Sequence, residues 1–205
     1  MKLIRLRGVL DSNTYAILYE NEAICIDAGV SFNECKAALG ADVTITAVLL
    51  THGHFDHCFY AKEYQDNGAK IFINQGDSMM LNDASENLST HFFYDSNFAA
   101  LNADYYVKDG EILNISGITV KVLHVPGHSQ GCVVYIIDDL MFCGDTLFLN
   151  SYGRTDLGSN TSHALLKRSI NEKIFSLDGD YTIYPGHGPS TTLKYERENN
   201  PINYD

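Results

Sequence analysis

The segment Thr51-His52-Gly53-His54-Phe55-Asp56-His57 packs three histidines and a carboxylate into its last six residues, directly after the apolar run Val48-Leu49-Leu50. With 8 His in 205 residues, a window of that size ordinarily holds none. An apolar run of this kind reads as a buried strand, which fixes the backbone, and the turn after it aims several nitrogen and oxygen ligands at one point. The chain must therefore fold so that a buried strand ends at a polar centre.

Three further apolar runs end in the same way. Val120-Lys121-Val122-Leu123-His124-Val125 leads into Pro126-Gly127-His128, Leu140-Met141-Phe142-Cys143 into Gly144-Asp145, and Tyr181-Thr182-Ile183-Tyr184 into Pro185-Gly186-His187. Each puts a metal-competent group just past a strand, with a glycine beside it that permits close backbone approach. A solvated polar turn would explain the first cluster alone; one site fed by four strand ends explains all of them. The candidate ligands are His52, His54, Asp56, His57, His128, Asp145 and His187, too many for one tetrahedral ion and suited to two. Two-metal hydrolytic sites hold their ions roughly 3.5–4 Å apart, and Asp145 is the natural bridge.

The His-x-His-x-Asp-His pattern at 52–57 resembles, residue for residue, the signature of the metallo-β-lactamase superfamily, and within it the chain is most similar to short bacterial glyoxalase II-type hydrolases. The likeness continues through Ile26-Asp27-Ala28-Gly29, Pro126-Gly127-His128-Ser129, Gly144-Asp145-Thr146-Leu147-Phe148, Gly153-Arg154-Thr155-Asp156 and Tyr184-Pro185-Gly186-His187-Gly188-Pro189-Ser190-Thr191-Thr192, followed by Asn200-Pro201. It implies that His52, His54 and His128 hold one divalent ion, that Asp56, His57 and His187 hold a second, and that Asp145 joins them. Zinc is the foremost candidate, with iron or manganese as alternatives. Asp27 matches a family position that supports the ligands by hydrogen bonding, as a metal-bound imidazole needs in order to fix its tautomer. Its other reading is a polar strand-end residue in a turn before Gly29.

Such a centre implies hydrolysis, because a water between two metals ionises near neutral pH beside a carbonyl that a metal polarises. Asp56 and Asp145 belong to that catalytic set. A thiolate is a good leaving group with affinity for zinc, so a small-molecule thioester suits a site without a dedicated acid. Resemblance to glyoxalase II implies a thioester of the S-lactoylglutathione type, with another ester or a lactone as the alternative. The longer glyoxalase II enzymes add a C-terminal helical region to the glutathione pocket, whereas 18 residues follow His187 here, and the thiol portion is expected to be loosely read. Arg154 and Arg197 are candidate bidentate contacts for a substrate carboxylate, with surface salt-bridging the alternative for each.

A rival from another enzyme class is the persulfide dioxygenase, which shares this scaffold and a Gly-Arg-Thr-Asp segment like 153–156 but uses one iron. Those enzymes usually carry Pro-Ala-His-Asp where this chain has Pro-Gly-His-Gly at 185–188. A closed structural zinc site is disfavoured, since it needs four ligands and no bridging carboxylate.

Net charge is −12, with 14 Lys+Arg against 26 Asp+Glu and no basic run, which disfavours a nucleic-acid partner. Two divalent ions would still outweigh the carboxylates beside them, so the centre itself attracts anions. A hydrophobic content of 45% and the lack of a Pro-, Ser- or Gly-rich linker fit a single domain over 1–205. The five cysteines, at 25, 35, 58, 132 and 143, form neither a metal spacing nor a disulfide framework. Cys58 and Cys143 adjoin proposed ligands but read as packing residues, and His91, His124 and His163 fall outside the motifs. No long apolar segment or cleavage site opens the chain, so the expectation is a cytoplasmic protein with no membrane span and an oligomeric state left open.

Strands are expected at 2–7, 14–19, 23–27, 45–50, 70–74, 117–124, 132–137, 140–143 and 181–184, with a hairpin turn at Asp138-Asp139. Ser31-Phe32-Asn33-Glu34 opens a helix that Gly40 closes. Residues 57–67 read as a helix ended by Gly68, and Leu166, Ile170, Ile174 and Leu177 stripe another that begins near Ser162. Helices with one apolar face beside strands that need covering imply a four-layer αββα sandwich, an α/β fold with two mixed sheets, as the resemblance also does. The aromatic stretch between about 75 and 110 reads either as a loop beside the cleft or as a cover for the core.

Overall fold

The computed structural model describes residues 1–92, 98–158 and 161–204. Two six-stranded sheets face each other. In the first, β1 (Lys2–Arg7), β2 (Asn13–Tyr19) and β3 (Glu22–Ile26) run antiparallel, and β4 (Thr44–Leu49), β5 (Lys70–Asn74) and β6 (Tyr105–Val107) add to β3 in parallel. In the second, β7 (Ile112–Ile115), β8 (Ile118–His124), β9 (Val133–Ile137) and β10 (Leu140–Gly144) form an antiparallel meander. There β13 (Thr182–Pro185) joins β10 in parallel and β14 (Thr191–Thr192) closes the edge. A short hairpin of β11 (Leu147–Phe148) and β12 (Ser151–Tyr152) follows β10.

The period-two alternation of the strands builds three apolar layers. Tyr15, Ile17, Ile24 and Ile26 point between the sheets and meet Val120, Val122, Val133, Tyr135 and Phe142. Their sequence neighbours Ala16 and Cys25 point outward, under Cys35 of α1 (Phe32–Leu39) and Tyr64 of α3 (Ala61–Asp66). On the other side Val134, Ile136 and Met141 are covered by Leu166 of α4 (His163–Ser169), by Ile170 and Ile174, and by Leu193 of α5 (Leu193–Asn199). The expected helix–sheet–sheet–helix sandwich is thus the observed one.

Local signals hold where the residues carry their own hydrogen bonds. Ser31 Oγ accepts from Glu34 N (3.3 Å) and donates to Glu34 Oε2 (2.7 Å), and α1 ends at Gly40 with φ 111°. The β9–β10 hairpin turns through Asp138 at φ 52°. The helix expected over 57–67 is instead two pieces, α2 (Phe55–Cys58) and α3. The His57 carbonyl, which a continuing helix would use four residues on, accepts from Ala28 N at 2.6 Å, and Tyr60 N donates to Ala28 O at 2.9 Å, so the segment is tied to the end of β3. The stripe from 166 to 174 is one apolar face, but its second half is π-helical, with Phe175 N donating to Ile170 O.

Between 75 and 110, Gln75–Leu81 is a 3-10 helix and β6 extends the first sheet, two elements with no counterpart among the expected ones. Phe98 packs on the core, whereas Phe93 and Tyr94 lie outside the described residues. Among the described residues no helix is long and apolar enough to cross a membrane.

Candidate metal centre

All seven candidate ligands stand at one end of the sandwich. His52, His54, Asp56 and His57 follow β4 and occupy the turn into α2, while His128 follows β8, Asp145 follows β10 and His187 follows β13. Cross-sheet hydrogen bonds hold these ends in register: Val133 N donates to Thr51 O (2.8 Å), Tyr15 Oη to Pro185 O (2.7 Å), and Asn13 Nδ2 to Pro185 O (2.9 Å). Gly186 N donates to Gly144 O at 2.8 Å, which seats the Asp145 and His187 loops side by side.

The ligand atoms fall into overlapping groups, His52 with His54 and His128, His52 with His57 and Asp145, and Asp56 with His57 and His187, each within 4.8 Å. His128 Nε2 lies 2.9 Å from His54 Nδ1, His57 Nε2 lies 3.3 Å from His187 Nε2, and His187 Nε2 lies 3.0 Å from Asp56 Oδ2. Asp145 sits between the groups: Oδ1 is 3.3 Å from His57 Nε2, and Oδ2 is 3.7 Å from both His128 Nε2 and His187 Nε2. The seven residues read from the sequence are therefore brought together.

The outer nitrogens are pinned. His57 Nδ1 faces Asp27 Oδ2 at 2.8 Å and His128 Nδ1 faces the Arg154 carbonyl at 2.7 Å, oxygens that accept, so each Nδ1 carries a proton and each Nε2 is the nitrogen turned toward the other candidate ligands. Asp27 also accepts from Thr51 N (2.7 Å) and Thr51 Oγ1 (2.9 Å), and its backbone stands at φ 62°. Buried His52 has Nδ1 3.1 Å from Thr51 Oγ1, while its Nε2 has no hydrogen-bond partner among the described residues, and neither has Asp145 Oδ1. A buried polar atom without a partner costs about 1–3 kcal/mol, and a cation placed among these atoms would remove that cost. The donor set, imidazole and carboxylate only, fits divalent zinc, iron or manganese.

The electrostatics point the same way. Burial, then the neighbouring His128, pushes His54 down to about 3, and burial with His57 lowers His52, so both imidazoles are neutral, as ligands must be. Burial would lower His57 too, but Asp56, Asp145 and Asp27 hold it well above the usual histidine range. Against burial, His57 and then His128 keep Asp145 well below the ordinary carboxylate range. The pocket is built to hold positive charge.

Asp77, buried in the turn after β5, is the supporting residue the sequence reading missed. Its Oδ2 accepts from Gly53 N (3.0 Å) and Ser129 Oγ (2.6 Å), and its Oδ1 accepts from Gly131 N (2.6 Å). It staples the His52–His54 turn of one sheet to the His128 turn of the other. A signal for it was present: Ile71-Phe72-Ile73 followed by Gly76-Asp77 repeats the apolar run, glycine and carboxylate of the other loops.

The two arginines stand differently. The exposed Arg154 guanidinium pairs with Asp156 at 2.9 Å through two nitrogens, so the residue serves the centre through its carbonyl. Arg197 is corrected from substrate contact to structural cap. Its Nε donates to Phe175 O (2.8 Å), Nη1 to Gly179 O (2.9 Å) and Nη2 to Leu177 O, which satisfies carbonyls in the turn that follows the 163–174 helical segment. All five cysteines are free and buried, Cys58 and Cys143 donating to backbone carbonyls. His124 reaches the Gln130 carbonyl, His163 starts α4, and His91 lies in the loop after Leu88, none of them in a ligand group.

Two hollows open on the ligands. One of about 220 Å³ has Asp56, Asp145 and His187 at its base and apolar walls of Leu10, Leu88 and Phe92. The other, of about 280 Å³, shares His54, His128 and Leu157 with it and runs toward Met79 and Glu86.

A family model described as the Metallo-beta-lactamase superfamily matches residues 7–187. The chain is 32% identical to the hydroxyacylglutathione hydrolase GloC of Haemophilus influenzae, over 89% of this chain and 87% of that protein. Among solved structures, the BLEG-1 B3 metallo-beta-lactamase superposes with TM-score 0.91 at 32% identity, over 98% of this chain and 99% of that one. TTHA1623 in a di-iron-bound form superposes with TM-score 0.82 at 27% identity, over 98% and 100%.

Proposed function

Because this chain belongs to the metallo-beta-lactamase superfamily, we propose that its metal centre hydrolyses small-molecule thioesters of the hydroxyacylglutathione type, with two divalent ions held by His52, His54, Asp56, His57, His128, Asp145 and His187. The reading rests on one observation, the position of Asp145 with an oxygen toward each ligand group. The GloC relative supports the substrate class and the di-iron neighbour supports a two-ion centre.

Gly186 favours this reading over a mononuclear dioxygenase. A Cβ at 186 would lie inside contact distance of Asp145 Oδ1 and 2.6 Å from His57 Cε1. The Pro-Ala-His-Asp pattern would supply that methyl group and separate the two side chains. Glycine lets the Asp145 carboxylate and the His57 ring share the space between both groups.

Bound divalent ions supply a polarised carbonyl and a water acidic enough to ionise near neutral pH. The chain's own groups do the rest. Asp27 and the Arg154 carbonyl fix the tautomers of His57 and His128, so the binding nitrogens need no reorganisation. Leu10, Leu88, Phe92 and Leu157 line the chamber over the ligands and give an acyl group an apolar wall. No protonated side chain is required for a thiolate to leave.

The test is metal analysis of protein purified without added metal, together with S-lactoylglutathione hydrolysis and oxygen uptake on glutathione persulfide. Two metals per chain, thioester hydrolysis and no oxygen uptake are expected. One iron per chain with oxygen consumption and untouched thioesters would overturn the assignment.

A further inference from the structure

Glu196 is a fully buried carboxylate of α5 that none of the ligand groups includes. Burying such a group costs free energy unless its oxygens are hydrogen-bonded, and both are. Oε1 accepts from Thr191 Oγ1 (2.7 Å), Oε2 accepts from Asn200 Nδ2 (2.7 Å), and the Asn150 amide points between the two oxygens, 3.3 and 3.2 Å away. Asn200, fully buried as well, also donates from Nδ2 to Ser151 O (2.9 Å), while its Oδ1 accepts from Ile202 N (3.1 Å).

What this pair holds is the hairpin of β11 and β12. Its strands are two residues long and joined through Leu149 and Asn150, the latter at φ 54°. A two-stranded hairpin is marginal on its own even at greater length. Glu196 fixes the turn amide and Asn200 a carbonyl of the return strand, so the hairpin is shaped from outside itself, by a helix 46 positions further along the chain. The hairpin also stands between two parts of the centre, Asp145 just before it and Arg154 just after it. Gly153 N donates to Thr146 O (3.2 Å), and a Cβ at 153 would lie inside contact distance of Asp145 O and 3.3 Å from His128 Cβ. The carbonyl of the next residue, Arg154, accepts from His128 Nδ1 at 2.7 Å. A hairpin free to move would carry that carbonyl away from the imidazole and release its tautomer.

We propose that Glu196 and Asn200 are positioning residues for the metal centre: by clamping the 147–152 hairpin they hold the Arg154 carbonyl where it fixes the tautomer of His128. The inference rests on the reading of His128 as a metal ligand and is independent of the substrate. His57, whose tautomer Asp27 fixes from the other sheet, lies outside the clamp and serves as its internal reference.

Proton–nitrogen NMR of the histidine rings tests it on zinc-loaded protein, read as the exchange of each Nδ1 proton with solvent. In the parent the His57 and His128 protons should both be protected. In Glu196→Ala the His128 proton should exchange about tenfold faster or more while the His57 proton is unmoved, and zinc affinity should fall about tenfold, the lower end of what supporting partners contribute. Glu196→Gln should restore both, because its oxygen can face Asn200 and the Asn150 amide while its nitrogen donates to the Thr191 hydroxyl. If Glu196→Ala is not recovered folded, Thr191→Val removes one hydrogen bond from the same carboxylate and should speed the same proton selectively. An unchanged His128 signal, a Gln variant as impaired as the Ala one, or loss of both protons together, as general loosening in the core variant Ile45→Ala would give, would overturn the inference. If the parent takes up no zinc, the ligand reading fails instead, and the ring tautomers of the metal-free protein decide the clamp. A change at His128 alone supports it; no change sinks it.

Discussion

His57 Nδ1 lies 2.8 Å from Asp27 Oδ2, and the same carboxylate takes the Thr51 amide and hydroxyl. Asp27 sits at the end of β3 and His57 in α2, so one buried side chain orients a proposed ligand, fixes its tautomer and locks the turn that carries His52. Supporting partners of this kind are typically worth about 10–100-fold in metal affinity or activity. In Asp27→Ala, zinc affinity should fall by that factor in competition with a chromophoric chelator. Unchanged affinity would mean that packing alone orients His57.

Asp77→Asn should weaken zinc binding and stability together. The carboxylate accepts from Gly131 on one oxygen and from Gly53 and Ser129 on the other. An amide offers one oxygen, so either the Gly131 or the Gly53 amide loses its partner inside the protein. That leaves about 1–3 kcal/mol to be read from urea unfolding in the presence of chelator. A stability equal to the parent's would show that the two turns hold each other without the staple.

Asp145→Ala removes the carboxylate that faces both ligand groups. Metal content and hydrolysis should both drop, by elemental analysis and thioester assay on the same preparation. Full occupancy of two positions in this variant would rule out a bridging role.

His57→Ala separates a two-ion hydrolase from a one-ion oxygenase. His57 Nε2 lies within 3.4 Å of Asp56, Asp145 and His187, so its loss empties the middle of the second group while His52, His54 and His128 remain. Hydrolysis should fall by orders of magnitude with about one metal retained per chain. Retention of both metals and most of the activity would assign the reaction to the first group alone.

The centre was legible because its ligands sit at strand ends, where an apolar run, a glycine and a polar residue follow in that order. The sheets were legible for the same reason: strands such as 45–50 and 132–137 are buried and nearly continuous in apolar residues. What escaped lies at edges. In β6 Tyr105 and Tyr106 are 43% and 40% exposed, and in β7 Ile112 is 62% exposed, so neither shows the burial pattern by which a strand is recognised. The break in the 57–67 helix has no local signal, because its hydrogen bonding is settled by Ala28, remote in sequence. Asp77 was passed over because its partners Ser129 and Gly131 lie more than 50 positions away. Arg154 meets His128 through its carbonyl, a contribution that side-chain chemistry does not reveal.

The seam between the two sheets runs through the ligand set, with His52, His54, Asp56 and His57 rooted in one sheet and His128, Asp145 and His187 in the other. An ion gripped from both sides acts as a cross-link between halves of the chain that are otherwise joined by apolar contact and a few hydrogen bonds. Pulling the sheets apart then requires the ion to leave first, which converts ligand dissociation into a kinetic lock on unfolding. The residence time of a bound ion would then set a floor under the lifetime of the folded chain.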